Sequence, residues 1–432
     1  MTQTLIQSSQ NRSTYRAVLD NGMVVLATEN PAADIIAARI FLGIGSRWES
    51  RAQAGISHLL ASVLTKGTEK LSSLEIAERV ESVGAKLGVD ASIDYFLMSL
   101  KAVSRDFLEL LYLAQELLVH PSFPESELEL EQKMTIQGIR SQKEQPFSIA
   151  FEQLRHAMYQ DHPYALSTLG TEETVMQLTR GDLQAHHQTY FRPDNMVISL
   201  AGRFDAAAMI AQVAKVFGNW SAPSTPLPTL KFPPLIADPR PTITVQETQQ
   251  SVILLGYLTA PVHHEDYMAL KLLNTYLGNG LSSRLFVELR EKRGLAYDVS
   301  ALYPTRLDAS QFVVYIGTAP ENTTTALEGL RTEVERLVAI PLTEEELQAA
   351  KNKLLGQYAL GKQTNAQIAH IFGWYETLGL GMEFDLTFQH QVNEVTPEMA
   401  QMVAHRYFIE PYLSVVGPEA QVSHLCDQDA CF

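Results

Sequence analysis

The stretch Tyr190-Phe-Arg-Pro-Asp-Asn-Met-Val-Ile-Ser-Leu-Ala-Gly202 returns near the end of the chain as Tyr407-Phe-Ile-Glu-Pro-Tyr-Leu-Ser-Val-Val-Gly417. In both, a Tyr-Phe pair precedes a proline and then an apolar run that closes on glycine. The two Tyr-Phe pairs lie 217 residues apart (407 less 190). Phe123-Pro-Glu-Ser-Glu-Leu128, which opens a charged helical pattern, is matched 219 residues later by Leu342-Thr-Glu-Glu-Glu-Leu347. Ser72-Ser73 ahead of Gly84 is matched at 210 by Ser282-Ser283 ahead of Gly294. Offsets that drift slightly but keep their order describe one unit used twice, and such a long period decides the architecture.

Working outward, the break between the two copies is a proline cluster. Seven of the 20 prolines fall between Pro223 and Pro241, where fixed φ and missing N–H donors forbid a central strand or a continued helix. The expected division is 1–222, a linker over 223–241, and 242–432. A length of 432 residues, 46% hydrophobic and 19% charged, suits two ordinary globular domains with cores of their own. Within the first copy, Gly22-Met-Val-Val-Leu-Ala27 and Ile35 to Leu42 read as strands, with Asn21-Gly22 as a turn. Helical spacing covers Ile56 to Leu64, Ser73 to Val83, Arg105 to Leu118 and Ser126 to Gln142. Strands grouped around clusters of helices predict α+β: in each half a mainly antiparallel sheet with helices packed on one face.

The charge balance, 33 Lys plus Arg against 49 Asp plus Glu for a formal −16, argues against a nucleic-acid or anionic-membrane binder. No run of 18 apolar residues exists, and Met1 to Arg16 is polar without an apolar core, so a soluble, cytoplasmic protein is expected. Both cysteines, Cys426 and Cys431, lie at the extreme C-terminus, which excludes a disulfide framework and a four-thiolate zinc site. A nucleophile elbow, a P-loop, C-x-x-C and H-E-x-x-H are all missing. His263-His264-Glu265-Asp266 reads as the start of a helix, because adjacent imidazoles diverge. His186-His187 is read in the same way, and His424 with the two cysteines as an incidental tail cluster.

Gly55-Ile-Ser-His-Leu-Leu-Ala-Ser-Val-Leu-Thr-Lys-Gly-Thr68, preceded by Gly45-Ser-Arg-Trp-Glu49, resembles the inverted-zincin metallopeptidases of the pitrilysin, insulysin and mitochondrial processing peptidase family. Their H-x-x-E-H helix sits in the same frame. Histidines four apart share a helix face and can grip one Zn²⁺, while the Glu between them activates the metal-bound water. A second Glu about 76 residues further on completes the ligands. In this chain His58 matches the first ligand, Ala61 replaces the base, Ser62 replaces the second His, and Gly138 stands where the second Glu belongs. One imidazole cannot hold a catalytic zinc, so the resemblance implies that this chain binds no metal and carries no cofactor of its own.

A second hallmark survives. Leu277 to Tyr297 resembles the family segment in which an Arg and a Tyr seven residues later point at the substrate. Here they are Arg290 and Tyr297, two hydrogen-bond donors for the scissile carbonyl or its oxyanion. The plain alternative makes Arg290 part of a solvated helix face with Glu288, Glu291, Lys292 and Arg293, and Tyr297 part of the core. His162-Pro-Tyr to Thr171, Tyr190-Phe-Arg-Pro and Ala260-Pro match scaffold features of the family.

Family members of this type include two-chain enzymes in which one subunit holds the zinc and the other supplies the Arg–Tyr pair. The resemblance therefore implies a non-zinc subunit acting on peptides beside a homologous, zinc-bearing partner with an intact H-x-x-E-H, each chain a two-domain half-clamshell. The competing implication is a structural or peptide-binding homologue without catalytic partner, like the family's core subunits of respiratory complexes. Only two glycines lie between Leu277 and Ser283, so the glycine-rich substrate loop of the mitochondrial non-catalytic subunit has no counterpart.

Overall fold

The computed structural model describes residues 2–7, 13–232 and 234–427. In the first half the order is β1 (Thr2–Gln7), β2 (Ser13–Val18), β3 (Val24–Glu29), β4 (Ile35–Leu42), α1 (Ile56–Val63), α2 (Ser73–Glu81), β5 (Lys86–Ala91) and β6 (Phe96–Val103). Then come α3 (Phe107–Val119), α4 (Glu125–Lys143), α5 (Pro146–Tyr159), α6 (Glu172–Gln177), α7 (Arg180–Tyr190), β7 (Met196–Gly202) and α8 (Ala206–Phe217). The second half runs β8 (Pro241–Val245), β9 (Ser251–Thr259), α9 (Tyr267–Gly278), β10 (Asp298–Leu302) and β11 (Ser310–Thr318). It ends with α10 (Thr323–Ala339), α11 (Glu344–Leu360), α12 (Asn365–Thr377), α13 (Phe384–Glu394), α14 (Pro397–Tyr407) and β12 (Tyr412–Gly417).

Local chemistry sets the boundaries. Asn21-Gly22 makes the β2–β3 turn, with Gly22 at φ 91° and Leu19 N–H donating to the Met23 carbonyl at 2.9 Å. Ser72 opens α2 through a capping box with Glu75, and Thr179 with Asp182 and Thr364 with Gln367 do the same for α7 and α12.

The first sheet has strand order β1-β2-β3-β7-β4-β6-β5, the second β10-β11-β9-β12-β8. Read from the other edge, the second sheet repeats β3-β7-β4-β6-β5 as β8-β12-β9-β11-β10. Each contains one parallel pair, β3 with β7 and β8 with β12, and is otherwise antiparallel. The α+β reading and the duplication therefore hold strand by strand. The first sheet simply adds β1 and β2 at one edge.

The chain divides into two compact units, and they are not the two halves of the sequence. The first comprises Met1–Ile139, Leu166–Lys231 and Ala359–Thr387; the second comprises Arg140–Ala165, Phe232–Tyr358 and Phe388–Phe432. The main crossing, Lys231 to Phe232, falls inside the proline cluster. Two short segments are exchanged. In the first unit, Ile36, Ala38, Ile40 and Leu42 face a core built with α1, α3 and α8. The opposite face is covered by α12, whose Gly373 sits against Phe41 and Ser199 so closely that a Cβ would come within 2.5 Å of the Phe41 ring. In the second unit α5 plays this part, with Leu154 and Met158 pressed on Gly256 of β9. Helices thus lie on both faces of each sheet rather than on one. The physical cause is that a sheet apolar on both faces needs two covers.

Candidate functional site

Helix α1 is positioned from both ends. Ile56, Leu59, Leu60 and Val63 are fully buried, at the i, i+3, i+4, i+7 spacing of an apolar face. Gly55 precedes it at φ 94°, where a side chain would strike the Leu169 carbonyl at 2.6 Å. Glu49, almost fully buried, accepts hydrogen bonds from Gly55 N–H at 2.7 Å and Ser57 N–H at 2.9 Å, so one carboxylate satisfies two of the donors a helix start leaves open. Burial outweighs those bonds and pushes its pKa up to about 7.

Four apart, His58 and Ser62 share a face of α1, as the spacing predicts. The Ser62 hydroxyl is turned back onto the helix, donating to the His58 carbonyl at 3.1 Å. Ala61 offers only a methyl to the core, 6% exposed. On α4 (Glu125–Lys143), Glu131 and Gly138 are seven residues and hence two turns apart on one face. A Cβ at Gly138 would meet nothing within 4 Å, so this position is open space with no donor. The Glu131 charge acts on His58 and partly offsets the burial that holds the imidazole pKa below its ordinary value. That carboxylate is engaged by Lys66, Nζ to Oε1 at 2.9 Å.

A zinc site needs three protein donors and a water. Here there is one imidazole, plus one carboxylate already neutralised by an ammonium. Among the described residues no three His, Cys, Asp or Glu side chains are placed to hold a metal. The residues present do not fit the ion. Lys66 and Glu131 were not singled out from the sequence, although the spacing carried the signal: Lys66 lies four past Ser62, and Glu131 two helical turns before Gly138.

Arg290 and Tyr297 lie in the second unit around an unusual turn. After α9, Phe286–Glu291 forms a π-helix, with Lys292 N–H donating to the Val287 carbonyl five residues back at 3.0 Å. Gly294, at φ 62°, ends it, and Leu295 N–H returns to the Leu289 carbonyl at 2.8 Å. Tyr297 N–H then pairs with the Gly317 carbonyl at 2.8 Å as edge strand β10 begins. Neighbouring charges are spent on each other: Glu288 takes Arg284 at 3.1 Å and Lys292 at 2.8 Å. Arg290 is exposed and lies over the Phe286 ring, 5.0 Å from its centroid. Tyr297 is 61% exposed, so it is no core residue. Both donors therefore stand in solvent near one end of an edge strand.

His186, His187 and His264 have structural settings. His186 and His187 are buried in α7, where burial pulls both pKa values down to about 4; His187 Nε2 lies 2.9 Å from the Leu118 carbonyl. His264 sits at the start of α9, its Nδ1 accepting from Asp266 N–H at 3.1 Å. Cys431 lies outside the described residues.

The chain matches known proteins over most of its length. The family model described as insulinase (peptidase family M16) matches residues 24–172, and the one described as peptidase M16 inactive domain matches 177–354. An uncharacterized zinc protease of Bacillus subtilis, YmxG, is 28% identical over 94% of this chain and 99% of its own length. One of Mycobacterium leprae is 28% identical over 96% and 94%. The crystal structure of a peptidase M16 inactive domain from Pseudomonas fluorescens superposes with a TM-score of 0.86 at 25% identity, covering 94% of this chain and 98% of that one. A protease from Helicobacter pylori, at 21% identity and a TM-score of 0.87, shares the fold. With both sheets and the α1 frame accounted for, the chain belongs to peptidase family M16 and lacks that family's intact zinc motif.

Proposed function

We propose that this chain is the non-zinc subunit of a two-chain M16 metalloendopeptidase, supplying Arg290 and Tyr297 to an active site whose zinc and H-x-x-E-H helix belong to a homologous partner. One observation carries the reading: the metal site is dismantled at three positions, while the two donors of the other hallmark stay exposed and form no ion pair or side-chain hydrogen bond among the described residues. General decay would erode both. In this role the chain's own chemistry is hydrogen bonding. Arg290 and the Tyr297 hydroxyl donate to the carbonyl of the scissile peptide and hold the charge that develops on its oxygen. Both glycines of Leu277–Ser283 have structural duties: Gly278 packs on Ala301, and Gly280 takes a left-handed φ of 83°. Substrate recognition through a mobile glycine loop is therefore not part of the proposal.

The test is peptide cleavage by the chain reconstituted with its zinc-bearing homologue. Tyr297→Phe should lower turnover about 10²- to 10³-fold with zinc content and association unchanged. A fully active Tyr297→Phe, Arg290→Ala double variant in an intact complex would leave only a structural or peptide-binding role.

A further inference from the structure

The face of the first sheet that carries α12 is only half covered. Helix α12 lies against β4, β7 and β3. On the far side of β4 the sheet continues through β6 to the edge strand β5; Lys101 of β6 and Lys86 and Asp90 of β5 are exposed. The register decides what stands there. Lys86 is directly opposite Lys101, Lys101 is opposite Ala37, and Arg39 is opposite Ser99 on β6 and Ser199 on β7. Residues opposite one another share a face, so Lys86, Lys101 and Arg39 project to the same side on three neighbouring strands.

Among the described residues no acidic side chain pairs with them. The half-buried Arg39 guanidinium makes one hydrogen bond, to the Ala38 carbonyl at 2.9 Å, and no ion pair among the described residues. His370 of α12 borders it, and its pKa is held below the ordinary range by burial and by the Arg39 charge. Lys86 and Lys101 likewise form no ion pair among the described residues. Two lysines directly opposite in a ladder repel each other and cost stability. A chain with sixteen surplus negative charges could neutralise them easily, yet Asp90 is the one acidic residue that β4, β5 and β6 place on this face. Gly88, Ser99 and the other small groups between the cations leave the sheet surface low, and a Cβ on Gly88 would meet nothing within 4 Å.

We infer that this open face of the first sheet binds an acidic polypeptide segment, whose carboxylates sit over Lys86, Lys101 and Arg39. Charge complementarity selects the occupant. The net charge repels acidic chains in general, so this local basic face is where such a segment gains rather than loses. No partner subunit is needed, so failure here leaves the subunit proposal standing.

The experiment is fluorescence anisotropy of a fluorescein-labelled oligoglutamate peptide titrated with the full chain at low salt. An oligolysine peptide serves as control. Saturable binding of oligoglutamate is expected. Lys86→Glu, Lys101→Glu should weaken it about tenfold or more, from the loss and reversal of two charge pairs. Lys133→Glu, Lys215→Glu makes the same change in net charge on exposed helix positions and should shift it little. Both double variants alter exposed side chains and keep the fold, checked by melting. Equal weakening by the two would assign the effect to net charge and overturn the site. No binding at all would do the same. Displacement by millimolar inorganic phosphate as effective as that by unlabelled peptide would replace the polypeptide with a small anion.

Discussion

Glu49 shows how one side chain fixes the first turn of the ligand helix. Its carboxylate accepts from Gly55 and Ser57, and burial lifts its pKa to about 7 against an ordinary 4.5. An acid whose folded pKa is raised binds its proton more readily in the folded state. Its favourable contribution is complete below about 4.5 and fades as pH climbs to about 7. Glu49→Gln removes the titration and sets an amide donor against one of the two N–H groups. We expect a loss of about 1–3 kcal/mol at neutral pH. The gap between wild type and variant should widen as the pH falls from 7.5 towards 5. Parallel melting curves over that range would show that Glu49 does not titrate there.

At the scale of elements, two helical glycines have opposite reasons to exist. Gly138, inside α4, has open space around it, so Gly138→Ala should stabilise by about 0.5–1 kcal/mol through helix propensity. Gly278, at the end of α9, is so near β10 that a Cβ would lie 1.9 Å from the Ala301 amide nitrogen. Gly278→Ala should cost about 3 kcal/mol or more, by overpacking against backbone that cannot step aside. Thermal melting separates the two; equal effects would mean that β10 yields to the added methyl group. Helices α1 and α4 carry a further expectation. Ala61→Glu, Ser62→His and Gly138→Glu together should restore about one zinc per chain, because four-residue spacing and the open Gly138 position recreate the donor set. Each change alone leaves at most two ligands with His58, and metal analysis of purified variants should find none bound.

On the scale of the whole molecule, the linker is a break in sequence and no place to cut. Residues 1–231 include α5, which belongs on the second sheet, and lack α12, which covers Phe41 and Ser199 on the first. Expressed alone, that half should be insoluble or bind a hydrophobic dye strongly. Coexpression with 232–432 should recover soluble protein. A well-folded, dye-silent fragment 1–231 would show that the exchanged helix is dispensable.

The sequence by itself determined the duplicated unit, its α+β character, two strands and four helices of the first copy, and the loss of metal ligands. Those are local matters: periodicity sets the element, and a methyl at Ala61 or a hydrogen at Gly138 cannot coordinate zinc in any fold. Tertiary structure alone decided where α5 and α12 lie, because an amphipathic pattern says that a face must be buried and not which sheet buries it; the hydrophobic effect has no direction. It also decided that Lys66 occupies the Glu131 carboxylate and that Lys86, Lys101 and Arg39 share a face. Each of these depends on register or distance between segments far apart in the chain, and strand register follows from pairing partners that no single segment contains.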